Sequence, residues 1–376
     1  MQLNVGILGA TGYAGAELTR ILLGHPQTAE IHLSSVSFEG ESIEAVYPNF
    51  LGNTEKIIGG LKKAEDVIES ADVVFASLPH GVGEDFAKTC VEKSKAFIDL
   101  SADFRFGADE PTFAAWYGKG YRHPELRRRS AYGLPELNRE AARRLAASGA
   151  VIIGNPGCYP TAATLGAMPA LARDLAGNGA IIVDAASGVT GGGRASARAY
   201  HYPECADNVS PYKVGCHRHT PEISRNFAAI SGEIRPVIFT PHLAPVNRGI
   251  LATIYIPLAD AYAPSPALPP KETAPRPPSK EISANAEEIH AIYTEFYKGE
   301  PFVRILPFGA AASTNQVRQS NYCDISIHLD QSGSTLIIAS AIDNMVKGAA
   351  GQAVQNMNII FGFEENAGLT AIPALF

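Results

Sequence analysis

The chain has 376 residues, of which 46% are hydrophobic, and a formal net charge of −7 at pH 7. This length and hydrophobic content favour two domains over one, and the negative charge argues against a nucleic-acid partner. The 5 cysteines show no C-x-x-C spacing, which indicates a reducing compartment without a structural metal site, and no apolar run reaches the roughly 20 residues of a membrane span.

Apolar strands alternate with helical patterns over residues 3–100, which is typical of a parallel α/β sheet. Strands are predicted at residues 5–8, 31–33, 73–76 and 96–100, and helices at residues 13–24 and 82–93. The pattern predicts a Rossmann-like domain. Because the first strand pattern begins at Leu3, we expect no leader segment and a cytoplasmic protein.

A glycine-rich run follows the first predicted strand and opens the first predicted helix. It contains Gly9, Thr11, Gly12, Tyr13 and Gly15. Glycines let the backbone approach a pyrophosphate closely, and the N-terminus of a helix favours negative charge. In this context the run predicts a dinucleotide site with those five residues as contacts, while a Rossmann domain without a ligand stays open as the other interpretation.

The end of the second predicted strand indicates which dinucleotide binds. NAD usually requires an acidic residue there, whereas Ser34 and Ser35 occupy the position and Glu39 lies further along. Serine hydroxyls can bind a 2′-phosphate that a carboxylate would repel, so we expect NADP, although no nearby arginine completes the site. After the strand at residues 73–76, Pro79 and His80 are expected to face the same cleft, while a solvated loop histidine stays open as the other interpretation of His80.

One cysteine stands where a predicted turn meets a predicted helix. Cys158 follows the turn at residues 154–157 and precedes a helix expected at residues 159–176. Unpaired N–H groups at a helix start favour negative charge, so we expect a lowered pKa of Cys158 and a nucleophilic thiolate. The alternative is a buried and inert cysteine.

Residues 180–342 have longer strands and few helices, which predicts an α+β domain with a mostly antiparallel sheet. Strands are expected at residues 180–185, 235–240, 250–257, 323–329 and 334–341. A proline-rich insertion at residues 257–281 favours a surface segment over a polyproline ligand for a partner. A final helix is predicted at residues 344–361.

Acid/base and charged side chains cluster within residues 216–222. A histidine suits proton transfer beside a reacting sulfur, and we choose His217 as the general base and acid, with His219 as the alternative. His219 and Glu222 are expected to contact substrate. The H-x-H pair can also chelate zinc, but no third ligand is evident, so no metal is expected.

A dinucleotide site combined with an activated cysteine predicts a reductase that forms an aldehyde. The cysteine would attack an activated acyl group, and reduction of the thioester would give a hemithioacetal that releases aldehyde. Arg194, Arg218 or Arg248 would bind the acidic ends of the substrate. A non-catalytic NADP-sensing protein is the competing hypothesis, against which the presence of both Cys158 and His217 argues.

Seven motifs run along the chain in order. They lie at residues 6–15, 98–105, 132–137, 154–161, 187–194, 217–222 and 343–352. Together they resemble the N-acetyl-γ-glutamyl-phosphate reductase family, the arginine-biosynthesis relatives of aspartate-semialdehyde dehydrogenase. The resemblance implies a thioacyl intermediate on Cys158 with His217 as its acid/base partner, Ser187 and Gly188 near substrate and cofactor, and Asn344 near the nicotinamide.

The resemblance also implies a domain arrangement. Residues 1–157 and 343–376 would form the Rossmann-like NADP-binding domain, with the C-terminal helix returning to it, and residues 158–342 the α+β catalytic and oligomerisation domain of a homodimer or homotetramer. The proline-rich insertion is expected to make the chain longer than is usual in the family.

The reaction that the resemblance implies is reduction of N-acetyl-γ-glutamyl phosphate by NADPH to N-acetyl-L-glutamate 5-semialdehyde and phosphate. The close alternative is the same chemistry on aminoadipyl phosphate in lysine biosynthesis. One methylene in a pocket discriminates by only about 1–3 kcal/mol, so the motifs leave this choice open.

Overall fold

The computed structural model describes residues 1–263 and 280–374, and two β-sheets organise them. The strands of the first sheet are β1 (Leu3–Leu8), β2 (Thr28–Ser34), β3 (Val73–Ala76), β4 (Ala96–Asp99), β5 (Ser130–Tyr132) and β6 (Ile152–Gly154). They pair in parallel in the order β2-β1-β3-β4-β6-β5. The predicted Rossmann-like sheet is confirmed.

Helices cover both faces of this sheet. They are α1 (Tyr13–Leu23), α2 (Ile43–Val46), α3 (Ala64–Ser70), α4 (Gly83–Glu92), α5 (Glu110–Tyr117) and α6 (Pro135–Ala147). Along β3, Val73 and Phe75 enter one core cluster, whereas Val74 and Ala76 enter another. Such a strand is buried on both sides, which explains its continuous apolar sequence.

The second sheet is mixed. Its strands are β7 (Ile181–Ser187), β8 (Ser210–Pro211), β9 (Val237–Leu243), β10 (Ile250–Pro257), β11 (Val303–Ile305), β12 (Cys323–Leu329) and β13 (Thr335–Ile342). They pair in the order β11-β12-β13-β10-β7-β9-β8, and two pairs, β11 with β12 and β7 with β9, are parallel while the others are antiparallel. The predicted mostly antiparallel sheet is confirmed.

Four more helices accompany this sheet: α7 (Cys158–Ala172), α8 (Tyr202–Cys205), α9 (Thr220–Ser231) and α10 (Lys280–Phe296). Every residue of α7 from Tyr159 to Leu171 is buried, because the helix lies between the sheet and its neighbouring helices. The helix ends before the predicted residue 176, since Asp174 takes a left-handed backbone with φ of 55°.

The other face of the second sheet is partly uncovered. Along β10 buried residues alternate with half-buried ones, so one face packs on the core and the other does not. On the neighbouring strands of the uncovered face, Ile182 is 39% exposed and Ile238 is 52% exposed. We call the outward-facing side chains of β7, β9 and β10 the open sheet face.

The C-terminal segment returns to the first sheet, as predicted, but not as one regular helix. A π-helical segment, Val346–Ala350, precedes α11 (Gly351–Ile360). Lys347 in this segment is fully buried and donates to Glu136 at 2.6 Å. The side chains of Val354 and Met357 in α11 share a core cluster with β1.

The predicted proline-rich insertion falls largely on residues 264–279, which lie outside the described residues. Among the residues that are described, no helix has both the length and the apolar character that crossing a bilayer requires. The boundaries of the two domains and a cytoplasmic location stay predictions from the sequence.

Candidate active site

Cys158 is the first residue of α7, directly after Gly157, which is the N-cap. Its side chain is partly exposed, and the π-helical segment packs against it. A Cβ added at Gly348 would lie 2.8 Å from the Cβ of Cys158, so only glycine lets the C-terminal segment approach this closely. The first turn of α7 therefore meets the end of the chain at the cysteine.

The pKa of Cys158 is raised to about 11, contrary to the sequence prediction of a lowered value. Burial is the main cause, and the charge of Glu222 adds to it, while the backbone N–H of Tyr159 and the guanidinium of Arg105 act in the opposite direction. The helix-terminus argument identified a real stabilising effect but not the larger cost of placing a charge in this pocket. A thiolate here requires a base.

Glu222 holds the turn before the cysteine. Its carboxylate accepts a hydrogen bond from the backbone N–H of Gly157 at 2.9 Å and another from the hydroxyl of Tyr132 at 2.9 Å. Its other oxygen pairs with Arg105 at 3.3 Å, and the two side chains are 1% and 5% exposed. Its predicted contact with substrate stays a prediction, whereas its contacts here fix the backbone beside Cys158.

Arg105 also donates hydrogen bonds to backbone carbonyls. Its Nε donates to the carbonyl of Asn155 at 2.8 Å, and its Nη2 donates to that of Leu100 at 2.9 Å. One buried guanidinium thus joins the end of the first sheet to the turn that precedes Cys158. It also places a positive charge near the sulfur.

The two histidines chosen from the sequence lie side by side, with ring centroids 4.8 Å apart. The Nδ1 of His217 accepts a hydrogen bond from the backbone N–H of His219 at 3.1 Å. The ring of His219 lies over Gly157, where an added Cβ would come within 2.5 Å of its Nε2. The Nδ1 of His219 is buried without a hydrogen-bond partner. Both rings therefore belong to the cysteine pocket.

Burial keeps both histidines neutral at pH 7. It lowers the pKa of His217 to about 4, with the charges of Lys213 and Arg218 acting in the same direction. Burial also lowers the pKa of His219 well below its ordinary value, and His217 and Arg105 lower it further. A neutral imidazole can accept a proton, which is the form that a base needs.

Positive charges gather around His80, which sequence reasoning placed at the cofactor cleft. Burial lowers its pKa to about 3, and Arg105, Arg218, Lys119 and Lys213 all act in the same direction. The guanidinium of Arg218 lies 5.3 Å from the ring centroid of Tyr117, which in turn packs 5.2 Å from the ring of His80. A pocket surrounded by these cations suits an anionic ligand.

One buried carboxylate holds the loop that carries Pro79 and His80, and its charge acts on a second. Asp103 accepts hydrogen bonds from the backbone N–H groups of Gly81 and Gly83, at 2.7 and 3.2 Å. Burial, with the adjacent charge of Asp103, raises the pKa of Asp99 to about 7. Pro79 itself is exposed, three residues after the end of β3, and its predicted cofactor contact stays a prediction.

The glycine-rich run fits a dinucleotide. Gly9 has φ of +76°, and a Cβ there would collide with the carbonyl of Ser77. A Cβ at Gly15 would collide with the carbonyl of Gly9, while Gly12, the N-cap of α1, borders open space apart from that carbonyl at 3.4 Å. The turn therefore leaves a cradle at the helix N-terminus that side chains would fill, which is the shape that a pyrophosphate needs.

At the end of β2 the predicted serines lie beside this turn. The hydroxyls of Ser35 and Thr11 are 2.8 Å apart, and Ser34, Ser35 and Thr11 are all buried. Tyr13 is 38% exposed and lines a cavity of about 340 Å³ between α1 and the second domain, together with Thr190. Cys158 and the two histidines do not line that cavity, so it is separate from the cysteine pocket.

The residues that the resemblance placed near substrate and nicotinamide lie at the junction of the two sheets. Ser187 ends β7, and a Cβ at Gly188 would lie 2.6 Å from the carbonyl of Asn247. Asn344 is buried, accepts from the N–H of Gly249 at 2.7 Å and donates to the hydroxyl of Thr190 at 3.0 Å. These contacts hold the loop after β7, and the predicted ligand contacts stay predictions.

The structure separates the three arginines that sequence reasoning offered as substrate ligands. Arg218 lies in the cysteine pocket, as described above. Arg248 is bidentate to Glu17 in α1, at 2.8 and 3.0 Å. Arg194 donates to the carbonyl of Thr11 at 3.0 Å, so its contact is with the glycine-rich run. Of the three, the geometry favours Arg218 for an anionic substrate.

Sequence reasoning missed three side chains that build the pocket. Arg105, Tyr132 and Asp103 lie in motifs that supported the resemblance, but no role was assigned to them. Arg105 and Glu222 are 117 positions apart, so spacing gave no signal of their contact. The one available signal was the run from 99 to 105, in which two aspartates and an arginine follow a buried strand.

Within residues 1–263 and 280–374, no group of three or more His, Cys, Asp or Glu side chains is placed to hold a metal ion.

Two family models match the chain. The semialdehyde dehydrogenase NAD binding domain matches residues 4–145, and the semialdehyde dehydrogenase dimerisation domain matches residues 158–267 and 273–344. Solved structures share the fold at low sequence identity. Aspartate semialdehyde dehydrogenase II of Vibrio cholerae superposes with a TM-score of 0.69 at 17% identity, covering 96% of this chain and 99% of that one. The enzyme of Candida albicans, crystallised with NADP, gives 0.65 at 17% identity, covering 98% and 100%. Fold and site thus define a semialdehyde dehydrogenase.

Curated relatives narrow the assignment. N-acetyl-γ-glutamyl-phosphate reductase of Clostridium beijerinckii is 47% identical over 375 residues, and that of Brachyspira hyodysenteriae is 44% identical over 377 residues, with 100% of both chains covered in each case. The chain belongs to the N-acetyl-γ-glutamyl-phosphate reductase family. Because these relatives match along their whole length, the expectation of a chain longer than is usual in the family is wrong.

Proposed function

We propose that the protein reduces N-acetyl-γ-glutamyl phosphate to N-acetyl-L-glutamate 5-semialdehyde, with release of phosphate, in arginine biosynthesis. The observation that carries the proposal is a cysteine at the first turn of a buried helix, with two neutral histidines beside the turn that precedes it. The relatives named above carry the same activity in their names.

The cysteine performs the covalent step. Because the pKa of Cys158 is raised, a histidine must take the thiol proton as the sulfur attacks the acyl carbon. The S–C bond forms, the bond from the acyl carbon to the phosphate oxygen breaks, and phosphate leaves with that electron pair. The thioacyl group then holds the carbonyl carbon at the start of α7, where backbone N–H groups favour charge on its oxygen.

His217 remains our choice for proton transfer, with His219 as the alternative. Because the Nδ1 of neutral His217 accepts a hydrogen bond from the backbone N–H of His219, its proton is on Nε2. In that form His217 donates from Nε2 to the developing alkoxide. To accept the thiol proton at Nε2, its own proton must first shift to Nδ1, which breaks the hydrogen bond from the N–H of His219. The Nδ1 of His219 has no competing partner. The two rings can therefore share the proton donor and acceptor roles.

We propose NADP rather than NAD as the cofactor. Ser35 stands at the end of β2, where NAD enzymes place a carboxylate, with the hydroxyl of Thr11 2.8 Å away, and the run from Gly9 to Gly15 provides the pyrophosphate cradle. When bound, the reduced cofactor supplies hydride to the thioacyl carbon. The chain's own task is then to stabilise the resulting oxygen with a donated proton, to take that proton back as the C=O bond of the aldehyde forms and the C–S bond breaks, and to return it to the sulfur of Cys158.

The substrate phosphate and carboxylate would lie among the cations around His80. Arg218, Lys213 and Lys119 are at least partly exposed, unlike Arg105, which is committed to Glu222 and to backbone carbonyls. A dianionic acyl phosphate matches such a pocket better than an uncharged aldehyde does.

We also propose that two copies associate through the open sheet face. Side chains such as Ile182 and Ile238 are exposed there, while the opposite face is buried, and the matching family model is described as a dimerisation domain. Ile238→Asp should convert the assembly to monomers in analytical ultracentrifugation, with Ile234→Asp, exposed but before β9, as the matched control. A monomeric parent chain would contradict this proposal.

The central test runs the reaction backward. Semialdehyde, NADP and phosphate are mixed with the enzyme, and formation of NADPH is followed by absorbance. Cys158→Ser should abolish the signal and preserve NADP binding, while Cys216→Ser, at an exposed position two residues before Arg218, should keep it. Unchanged turnover in Cys158→Ser would exclude the proposed nucleophile, and NADP binding without turnover in the parent chain would support the sensing protein instead.

The same assay decides the finer points. His217→Asn should lower the maximal rate more than His219→Asn does, and the reverse order would transfer the main role to His219. Replacing the semialdehyde by its aminoadipate homologue tests the substrate class, and replacing NADP by NAD tests the cofactor.

A further inference from the structure

Arg194 belongs to the loop that follows β7, in the half of the chain that forms the second sheet, yet it contacts the first domain. Its Nη1 donates to the carbonyl of Thr11 at 3.0 Å, and the hydroxyl of Tyr47 donates to the same oxygen at 2.8 Å. The loop is held on the other side, where the N–H of Val189 donates to the carbonyl of Val246 at 2.9 Å. The guanidinium is thus held at the glycine-rich run from outside that domain.

The position of the guanidinium suits a ligand charge. Its carbon lies 5.3 Å from the ring centroid of Phe38 and 5.1 Å from that of Tyr47, so two aromatic faces support it. The residue is exposed. Guanidinium has five N–H donors in a planar fork, and the bond to Thr11 uses one of them.

Arg194 and the hydroxyl pair at the end of β2 converge on one residue. The backbone of Thr11 accepts from Arg194, and its side chain lies 2.8 Å from the hydroxyl of Ser35. The end of the second strand is where such folds bind the adenosine ribose. A cation next to neutral hydroxyls, with no carboxylate among them, matches a phosphate on that ribose and not a bare hydroxyl.

We propose that Arg194 binds the 2′-phosphate of NADP and so selects NADP over NAD. The inference rests on the proposed function, because it assumes that the glycine-rich run binds a nicotinamide dinucleotide. It revises the sequence prediction that Arg194 binds substrate, and it supplies the arginine that the sequence around Ser34 and Ser35 lacks. Residues from both halves of the chain then bind the adenosine end of the cofactor.

The test measures binding without any acyl substrate. NADP, NAD and 2′,5′-ADP are titrated by isothermal calorimetry into the full-length protein and into Arg194→Gln. Loss of a charge-assisted contact should weaken NADP and 2′,5′-ADP roughly 10- to 100-fold and leave NAD within about twofold. Arg198→Gln is the matched control, because Arg198 is four positions on, 86% exposed and paired only with Glu204 among its ion pairs in the described residues. It should bind all three ligands as the parent does.

Two results would overturn the proposal. Equal weakening of NAD and NADP in Arg194→Gln would mean that the side chain serves the pyrophosphate or the loop, and unchanged NADP affinity would mean that it serves neither. Partial recovery of 2′,5′-ADP affinity in Arg194→Lys would support charge recognition, and thermal unfolding of each variant shows that it is folded. A parent chain that binds NADP tightly but gives no turnover would refute the proposed reaction and leave this assignment standing.

Discussion

The glycine-rich run and the cysteine pocket are built in opposite ways. The run lies within residues 9–15, uses backbone shape and neutral hydroxyls, and needs no buried charge at its turn. The cysteine pocket brings together side chains from near residues 80, 105, 132, 158 and 220, and it buries an arginine with a carboxylate. One site depends on local conformation, and the other depends on the tertiary fold.

This difference predicts how each of the two sites responds to a substitution. A glycine turn fails when a Cβ occupies its cradle, but its loss leaves the charges elsewhere undisturbed. In the cysteine pocket each ionisable group shifts the pKa of its neighbours. Removal of one charged side chain therefore leaves its partner's charge buried without compensation. Three variants or measurements test the contrast.

The largest effect is expected from breaking the buried ion pair. Glu222→Gln leaves the charge of Arg105 without its partner and should lower the free energy of unfolding by about 3–5 kcal/mol in urea denaturation. Glu204→Gln removes an ion pair from an exposed site and should change it by less than about 1 kcal/mol. Equal changes in the free energy of unfolding for the two variants would show that the buried ion pair does not stabilise the pocket more than a surface pair does.

The next effect concerns the sulfur itself. With the pKa of Cys158 near 11, the thiol form dominates below that value and the thiolate fraction rises with pH. Alkylation of Cys158 by iodoacetamide, followed by mass spectrometry, should therefore accelerate about tenfold per pH unit between about pH 7 and 9. An alkylation rate that levels off near neutral pH would support the sequence prediction of a lowered pKa. It would mean that the helix N-terminus affects Cys158 more than burial does.

The smallest effect on stability is expected within the glycine-rich run, and it distinguishes two glycines. Gly15→Ala forces a Cβ into the carbonyl of Gly9 and should lower the free energy of unfolding by about 1–3 kcal/mol. Gly12→Ala meets only that carbonyl at 3.4 Å, so it should change stability by less than about 0.5 kcal/mol while weakening NADP binding. Equal NADP affinity in Gly12→Ala and the parent would show that the cradle does not hold the pyrophosphate.

Sequence patterns predicted the elements whose residues repeat regularly over a long run. The ranges expected for β10 and β12 coincide with the structure, and the helix expected at residues 13–24 differs from α1 by one residue. The short strands β5 and β6 were not predicted, because three residues carry too little pattern to distinguish a strand from a loop. The π-helical segment was also missed, since its backbone follows from the contact with Cys158.

The features of the candidate site also divide into those that a local sequence pattern predicts and those that depend on distant residues. The positions of Gly9, Gly12 and Gly15 at a strand–helix turn could be predicted, as could the helix start beside Cys158, which was expected one residue later than it is. The direction of the cysteine's pKa shift could not, because burial comes from segments far away in sequence. The neighbours of Arg194 could not be predicted either, since 183 positions separate it from Thr11.

The way in which the C-terminal segment packs against Cys158 bears on how the protein folds. Gly348 lies against one side of the cysteine, and side chains of α11 join the core cluster that contains β1, although the two elements lie at opposite ends of the described residues. A folding chain can thus pair the strands of its first sheet, yet neither the surroundings of Cys158 nor that core cluster is complete until residues 346–360 are present. Truncated products that stop before residue 346 would expose Cys158 and part of that core cluster, which makes them targets for chaperones and not partially active enzymes.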